Sequence, residues 1–394
     1  MTPEKALLEM GRPFYIIATG GGAGLQGRLW NVCDISHVLL GAEFPYACKE
    51  TSRSIGFNPN EGASAASYSS PEVAVDLATT AYLKGLGNHS EPIGLGLTAS
   101  VASSKMHRGE HRAYSATVSR EGCFVSTMLL EKGVGGYQRL IDGGFCDDLG
   151  LLSLLELGVA SHTEPLMQTF SNGRRITPKE YHRERRDDLF VERFFAHPYF
   201  TAQGKRLEDL PEEEEEESVL FPGTFNPPTY GHFGMADSVK LAYCGRFYKI
   251  PKVIFQIAAD PPHKEHLTEG NDFPVLLLKR AYNLQGRDRM FVRNQSLYLD
   301  KIHANPERPF LLGADALLEM FNPKWGVDLS SLLNAALELG VKFFVADRLV
   351  GGVMTTLVDC LLQKDVPASY HHLFYRIAGR WDVSSTEIRE RLKS

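Results

Sequence analysis

The sequence predicts an α/β protein of two domains, on three observations. The chain has 394 residues, more than one compact core usually holds. Pro211 and six consecutive glutamates, 212–217, interrupt it; like charges at that density repel one another, resist burial and favour a linker or a solvated helix end. Beyond them, short apolar strands alternate with helical patterns, which implies a mostly parallel sheet covered on both faces.

The expected division is a first domain over 1–164, a connector over 165–217 and a second domain over 218–394. Residues 165–210 are polar and rich in Arg, yet they carry the aromatic clusters LFVERFF and HPYF. So many aromatics are rare in a fully disordered segment, so a helical connector docking its Phe and Tyr side chains on one domain is expected. In the second domain SVLF reads as a strand, a glycine turn leads to a helix from about Gly231 to Tyr243, and VIFQIA is a second strand. PVLLLKRAYNLQ reads as a helix, PFLLG and VKFFVA as strands, and SSTEIRERL as a final helix. In such a sheet, ligands sit beyond the carboxyl ends of the strands.

Composition excludes several classes. Hydrophobic content of 43% and charge of 23% suit an ordinary globular chain. No window approaches eighteen uninterrupted apolar residues, and MTPEKALLEMGRPF has no apolar core of a signal peptide, so neither a membrane span nor secretion is expected and a cytoplasmic location is the default. Six cysteines lack metal-ligand spacing and read as reduced, mostly buried thiols. The net charge of −6 offers no general attraction to nucleic acid, and the basic run RRITPKEYHRERR is broken by carboxylates.

The chemistry concentrates where strands end. GTFNPPTYGH (223–232) follows SVLF, DPPHK follows VIFQIAA, GAD follows PFLL and ADR follows KFFV. The first of these has neither a phosphate-binding P-loop lysine nor a serine nucleophile. Its His232 is either a donor to a phosphate oxygen as charge builds during phosphoryl transfer or a satisfied structural histidine. Gly223 and Gly231 allow close approach of backbone and ligand. In SSTEIR, Ser384 and Glu387 have capping-box spacing, leaving the Ser385 and Thr386 hydroxyls and Arg389 for an anion at the helix N-terminus.

Together these motifs resemble the nucleotidylyltransferase superfamily, in which GTFNPPTYGH matches the (H/T)xGH signature and SSTEIR the ISSTxIR signature. PPHK (261–264), GADAL (313–317), Trp325 and ADR (346–348) resemble the nicotinate or nicotinamide mononucleotide adenylyltransferases within it. The likeness spans about residues 218–394 and implies a Rossmann-like parallel sheet. It also implies transfer of the adenylyl group of ATP, with Mg²⁺ bridging phosphates, to the mononucleotide phosphate with release of pyrophosphate. By position, Gly223, Thr224 and Phe225 would line the junction of the two substrates, while Thr229 and His232 would contact ATP phosphates. Lys264 would hold a phosphate, Gly313 and Asp315 would lie near a ribose, and Arg348 would help bind substrate. Ser385, Thr386 and Arg389 would take the outer phosphates. Trp325 would lie near the pyridine ring, or belong only to the core. Another phosphorylated substrate, such as phosphopantetheine, is the alternative, against which PPHK and GADAL argue.

In the first half, RLWNVCDISHVLLGAEFPY (28–46), SSPEVAVDLATTAYLKGLG (69–87), IGLGLTAS (93–100) and HRAYSATVS (111–119) resemble the competence-damage-inducible (CinA) C-terminal family, the nicotinamide mononucleotide amidohydrolases, over about residues 10–160. The family's nucleophilic serine falls on Thr19. Tyr46 keeps the family's tyrosine, but its lysine falls on Thr51, with Lys49 displaced by two. A threonine nucleophile needs a base in reach, so this half is expected either to deamidate the mononucleotide or to serve as a non-catalytic binding module that also supports a homo-oligomer. No nucleic-acid or membrane partner and no protein-bound metal are expected.

Overall fold

The computed structural model describes residues 2–62, 64–106, 108–158, 181–197, 199–201, 206–207, 217–258, 272–284, 290–293, 297–350, 352–379, 381 and 388. The chain forms two compact units, Met1–His197 with Gly270–Lys279 and Pro198–Glu269 with Arg280–Ser394.

The first unit runs α1 (Pro3–Met10), β1 (Phe14–Thr19), α2 (Gly24–Trp30), β2 (Leu39–Glu43), α3 (Cys48–Ile55) and α4 (Pro71–Gly85). Then come β3 (Ile93–Ser100), β4 (Arg112–Ser119), β5 (Gly122–Leu129), α5 (Gly135–Leu155), β6 (Tyr181–Arg185) and α6 (Asp187–Ala196). Its sheet has the order β2-β1-β3-β4-β5-β6, parallel across β2, β1 and β3 and antiparallel beyond. Side chains alternate across a strand. Phe14, Ile16 and Ala18 of β1 therefore join a core with Leu25, Leu149 and Leu152, while Ile17 packs with Val73, Leu77 and Ala81 of α4. That places α2 and α5 on one face and α4 on the other. Ser70 begins α4 by accepting from the Val73 N–H, with Pro71 in the first turn.

The stretch read as a connector is divided between the units. Tyr181–Arg185 is a strand paired with β5, and Leu189, Phe190 and Phe194 of α6 are buried. Arg193 and Asp76 form an ion pair at 2.6 Å with side chains 1% and 0% exposed. Two short strands, β7 (Tyr199–Phe200) and β8 (Arg206–Leu207), belong to the second sheet.

Further along run β9 (Ser218–Gly223), α7 (Tyr230–Phe247), β10 (Lys252–Ala258), α8 (Phe273–Tyr282), β11 (Met290–Arg293), α9 (Tyr298–Ala304) and β12 (Phe310–Gly313). They are followed by α10 (Ala314–Met320), α11 (Leu329–Glu338), β13 (Phe343–Ala346), the hairpin β14 (Arg348–Val350) and β15 (Val353–Thr355), α12 (Leu357–Gln363) and β16 (Phe374–Ile377). The second sheet has the order β16-β13-β12-β9-β10-β11-β7-β8. The first six of these strands are parallel; β7 pairs antiparallel with β11, and β8 antiparallel with β7. Numbered along the chain, the parallel strands stand 3-2-1-4-5-6 from β11 to β16, the doubly wound Rossmann order. The order reverses between β9 and β12, the switch point beyond whose carboxyl ends ligands bind in sheets of this kind. The α/β reading therefore holds in both units, while β7, β8, β11, β16 and the β14–β15 hairpin were not anticipated.

All six cysteines are free; Cys123, Cys146 and Cys360 are buried, Cys244 is half-buried, and Cys33 and Cys48 are exposed, so the expectation of mostly buried thiols overstates their burial. Among the described residues no helix is long and apolar enough to cross a membrane.

Candidate active site

The turn between β9 and α7 is organised by aromatic packing and by a helix cap. Phe225 is buried with a φ of 43°, a left-handed backbone that costs a side-chain-bearing residue roughly 1–2 kcal/mol. Its ring offsets this by packing edge-on to Phe221 and Phe255, with ring centres 5.3 Å from each. Gly223 is required beneath it, since a Cβ there would lie 2.7 Å from Phe225 Cζ.

Thr229, buried and extended (φ −121°, ψ 164°), caps α7. Its hydroxyl oxygen accepts from the His232 backbone N–H, and its own backbone N–H donates to His232 Nδ1 at 2.9 Å. A backbone N–H can only donate, so Nδ1 carries no proton. The Thr229 hydroxyl, 2.8 Å from the same nitrogen, then also donates to it, and the imidazole keeps its proton on Nε2. The T-x-G-H spacing is thus a capping box that makes His232 a hydrogen-bond donor at a helix N-terminus. Phe225 packs edge-on to the imidazole at 5.1 Å and holds its plane.

At the end of β12, Gly313 precedes α10. A Cβ there would overlap Asp315 Oδ1 and lie 3.0 Å from Arg348 Cγ. Arg348 Nε stands 3.8 Å from Asp315 Oδ1, and Arg348 Nη1 donates weakly to Met235 Sδ at 3.9 Å. Met235 lies three residues past His232 on α7. The structure therefore gathers Gly223, Phe225, Thr229, His232, Gly313, Asp315 and Arg348 about the carboxyl ends of β9 and β12, with Thr224 between Gly223 and Phe225. Trp325 has partners next to it in the chain: its Nε1–H donates to the Glu319 carbonyl at 3.0 Å, and Lys324 Nζ lies 4.3 Å from its ring centre. Lys264, Ser385, Thr386 and Arg389 fall outside the described residues. Sequence reasoning missed Met235 and missed the reciprocal Thr229–His232 cap, although the i, i+3 spacing of that cap was its signal.

The chain resembles nicotinate-nucleotide adenylyltransferases. It is 29% identical over 187 residues to the nicotinate-nucleotide adenylyltransferase of Bacillus subtilis (strain 168), covering 44% of this chain and 85% of that protein. It is 27% identical over 194 residues to the probable nicotinate-nucleotide adenylyltransferase of Thermoanaerobacter sp. (strain X514), covering 46% and 84%. No family model matches the chain.

In the first unit, Thr19 ends β1 and is 7% exposed. Its hydroxyl lies 3.2 Å from that of buried Thr51, which in turn donates to the Ala47 carbonyl. Tyr46 is exposed and accepts from Arg139 Nη2 at 2.8 Å, while Arg139 Nη1 donates to the Ala102 carbonyl. Lys49 is exposed in the first turn of α3. Thr19 and Tyr46 therefore have hydroxyl and guanidinium partners, and among the described residues no hydrogen bond joins Lys49 to either. Arg139 was not singled out from the sequence, because its partners lie on distant segments. At the start of α2, Asp147 accepts from the Leu25 N–H at 3.1 Å, and burial pushes its carboxyl up to about 6 against the opposing pull of Arg28.

Proposed function

We propose that the second unit transfers the adenylyl group of ATP to nicotinate or nicotinamide mononucleotide, the acid being favoured because both relatives are named nicotinate-nucleotide adenylyltransferases. The reciprocal cap between Thr229 and His232 at the Rossmann switch point carries this reading. A phosphate oxygen of the mononucleotide attacks the α-phosphorus of ATP; the bond to the β-phosphate oxygen breaks, and pyrophosphate leaves with the electron pair. No enzyme nucleophile is required. ATP is taken as its Mg²⁺ complex, the metal neutralising phosphate charge.

His232 Nε2–H donates to a phosphate oxygen of ATP, and Thr229 keeps that tautomer by occupying Nδ1. Amides of the first turn of α7 add the positive end of the helix dipole. Gly223 and Phe225 shape the junction of the substrates, and Asp315 and Arg348 hold the sugar-phosphate side. Lys264, Ser385, Thr386 and Arg389 are proposed to take the outer phosphates, and Trp325 to border the pyridine.

The test is mass-spectrometric product analysis after incubating the protein and Mg-ATP with each mononucleotide separately. A dinucleotide from either supports the reading; none from both ends it.

For the first unit, the Thr19–Thr51 pair favours a binding role over hydrolysis, since Thr51 stands where a base would be needed. Nicotinamide mononucleotide is then bound without release of ammonia. Ammonia release that disappears in Thr19→Ala would overturn this reading and make the unit an amidohydrolase.

A further inference from the structure

Gly234 is an interior residue of α7, where glycine lowers helix stability. The structure supplies the reason: a Cβ there would overlap Trp381 Nε1 and lie 2.7 Å from Cδ1. Against the six-membered ring of the same indole, Gly379 has a φ of 135°, and a Cβ there would overlap Cη2 and Cζ2. Two glycines thus form a slot for one tryptophan. One belongs to the helix that bears His232, the other to the segment leaving β16.

The slot stands on the helix that carries the proposed donor. Gly234 is two residues beyond His232 and directly precedes Met235, the α7 residue that Arg348 reaches. Trp381 is also the last aromatic anchor in the sequence before Ser384–Arg389. The ring is rigid and half-buried, so a side chain at 234 displaces the whole indole.

We propose that Trp381 is a positioning residue for the ATP site: seated against both Gly379 and Gly234, it sets the first turns of α7 against the exit of β16 and so aims the His232 donor. This rests on the adenylyl-transfer reading and extends it to a residue that touches neither substrate. A misplacement of the donor by about 1 Å is enough to cost catalysis heavily.

The experiment compares wild type, Gly234→Ala, Trp381→Phe and the double variant Gly234→Ala/Trp381→Leu by steady-state kinetics, Mg-ATP calorimetry and thermal melting. Gly234→Ala is expected to raise KM for ATP and the Mg-ATP Kd by about tenfold with little change in KM for the mononucleotide or in Tm, because alanine favours the helix itself. Trp381→Phe retains most of the affinity, and the double variant recovers part of it because leucine frees the space that alanine takes. A purely structural contact would shift Tm and leave the ATP parameters alone. Equal Mg-ATP affinity in wild type and Gly234→Ala overturns the positioning role even if wild type is active. A wild type that binds Mg-ATP yet forms no dinucleotide ends the adenylyl-transfer reading instead, and the role of Trp381 is then judged on binding alone.

Discussion

The backbone N–H of Thr229 donates to His232 Nδ1 at 2.9 Å while the His232 N–H returns to the Thr229 hydroxyl, so one cap both starts α7 and determines which imidazole nitrogen bears the proton. Stability and chemistry are joined in that pair, and substitutions separate them. His232→Ala is expected to lower kcat/KM by about a hundredfold or more, the usual loss of one preorganised donor, with the fold intact by circular dichroism. Thr229→Ala loses roughly 1 kcal/mol of capping and removes one of the two donors to Nδ1, leaving the backbone N–H alone to hold the imidazole, so both Tm and activity fall. Thr229→Ser restores both, since its hydroxyl occupies the same place.

Arg348 and Asp315 lie 3.8 Å apart, with side chains 12% and 51% exposed. A half-exposed pair of this kind contributes about 0–1 kcal/mol to stability. Arg348→Ala is therefore expected to leave chemical denaturation nearly unchanged while raising a substrate KM by about tenfold or more, the scale of a lost charged hydrogen bond. Equal loss of stability and activity would make Arg348 a structural residue.

Asp147 links pH to the stability of the first unit. Its folded-state value of about 6 lies above that of an unfolded aspartate because burial disfavours the charged form. The stabilisation that comes from its proton is complete below about pH 4 and is lost as pH rises through 6. At about 1.4 kcal/mol per unit the loss is at most about 3 kcal/mol. Asp147→Asn keeps an acceptor for the Leu25 N–H, so its melting temperature is expected to vary less than that of wild type between pH 5 and 7 and to exceed it at pH 7.5 or above.

Arg193 and Asp76 are buried together, and Arg193 Nε also donates to the Asp76 carboxylate at 3.0 Å. Arg193→Leu strands a carboxylate in the core and is expected to cost about 3–5 kcal/mol in urea denaturation. Replacing both, Arg193→Leu with Asp76→Leu, recovers much of that loss. A single variant as stable as wild type would show that the pair is not isolated from water.

Local features were readable because their causes are local. The strand-turn-helix at 218–247 follows from an apolar run, a glycine and a residue able to cap, and GTFNPPTYGH stands at a strand end for that reason. Tyr181–Arg185 was unreadable as a strand because YHRER is mostly charged; it lies at the sheet edge, where charged side chains deter further pairing. The acidic run suggested one long connector, yet the hydrogen-bond partners of 181–185 lie on β5, distant in sequence.

By itself, the sequence determined the α/β class, the alternation of strand and helix, and the spacing of Thr229 and His232, since periodicity and capping act over a few residues. Only the tertiary structure decided that β9 and β12 are neighbours, and that Arg348 reaches from Asp315 to Met235. It alone set Thr19 against Thr51 and lodged Trp381 on Gly234. These contacts join residues far apart in the chain, and their geometry is set when strands pair and helices pack against both faces of a sheet.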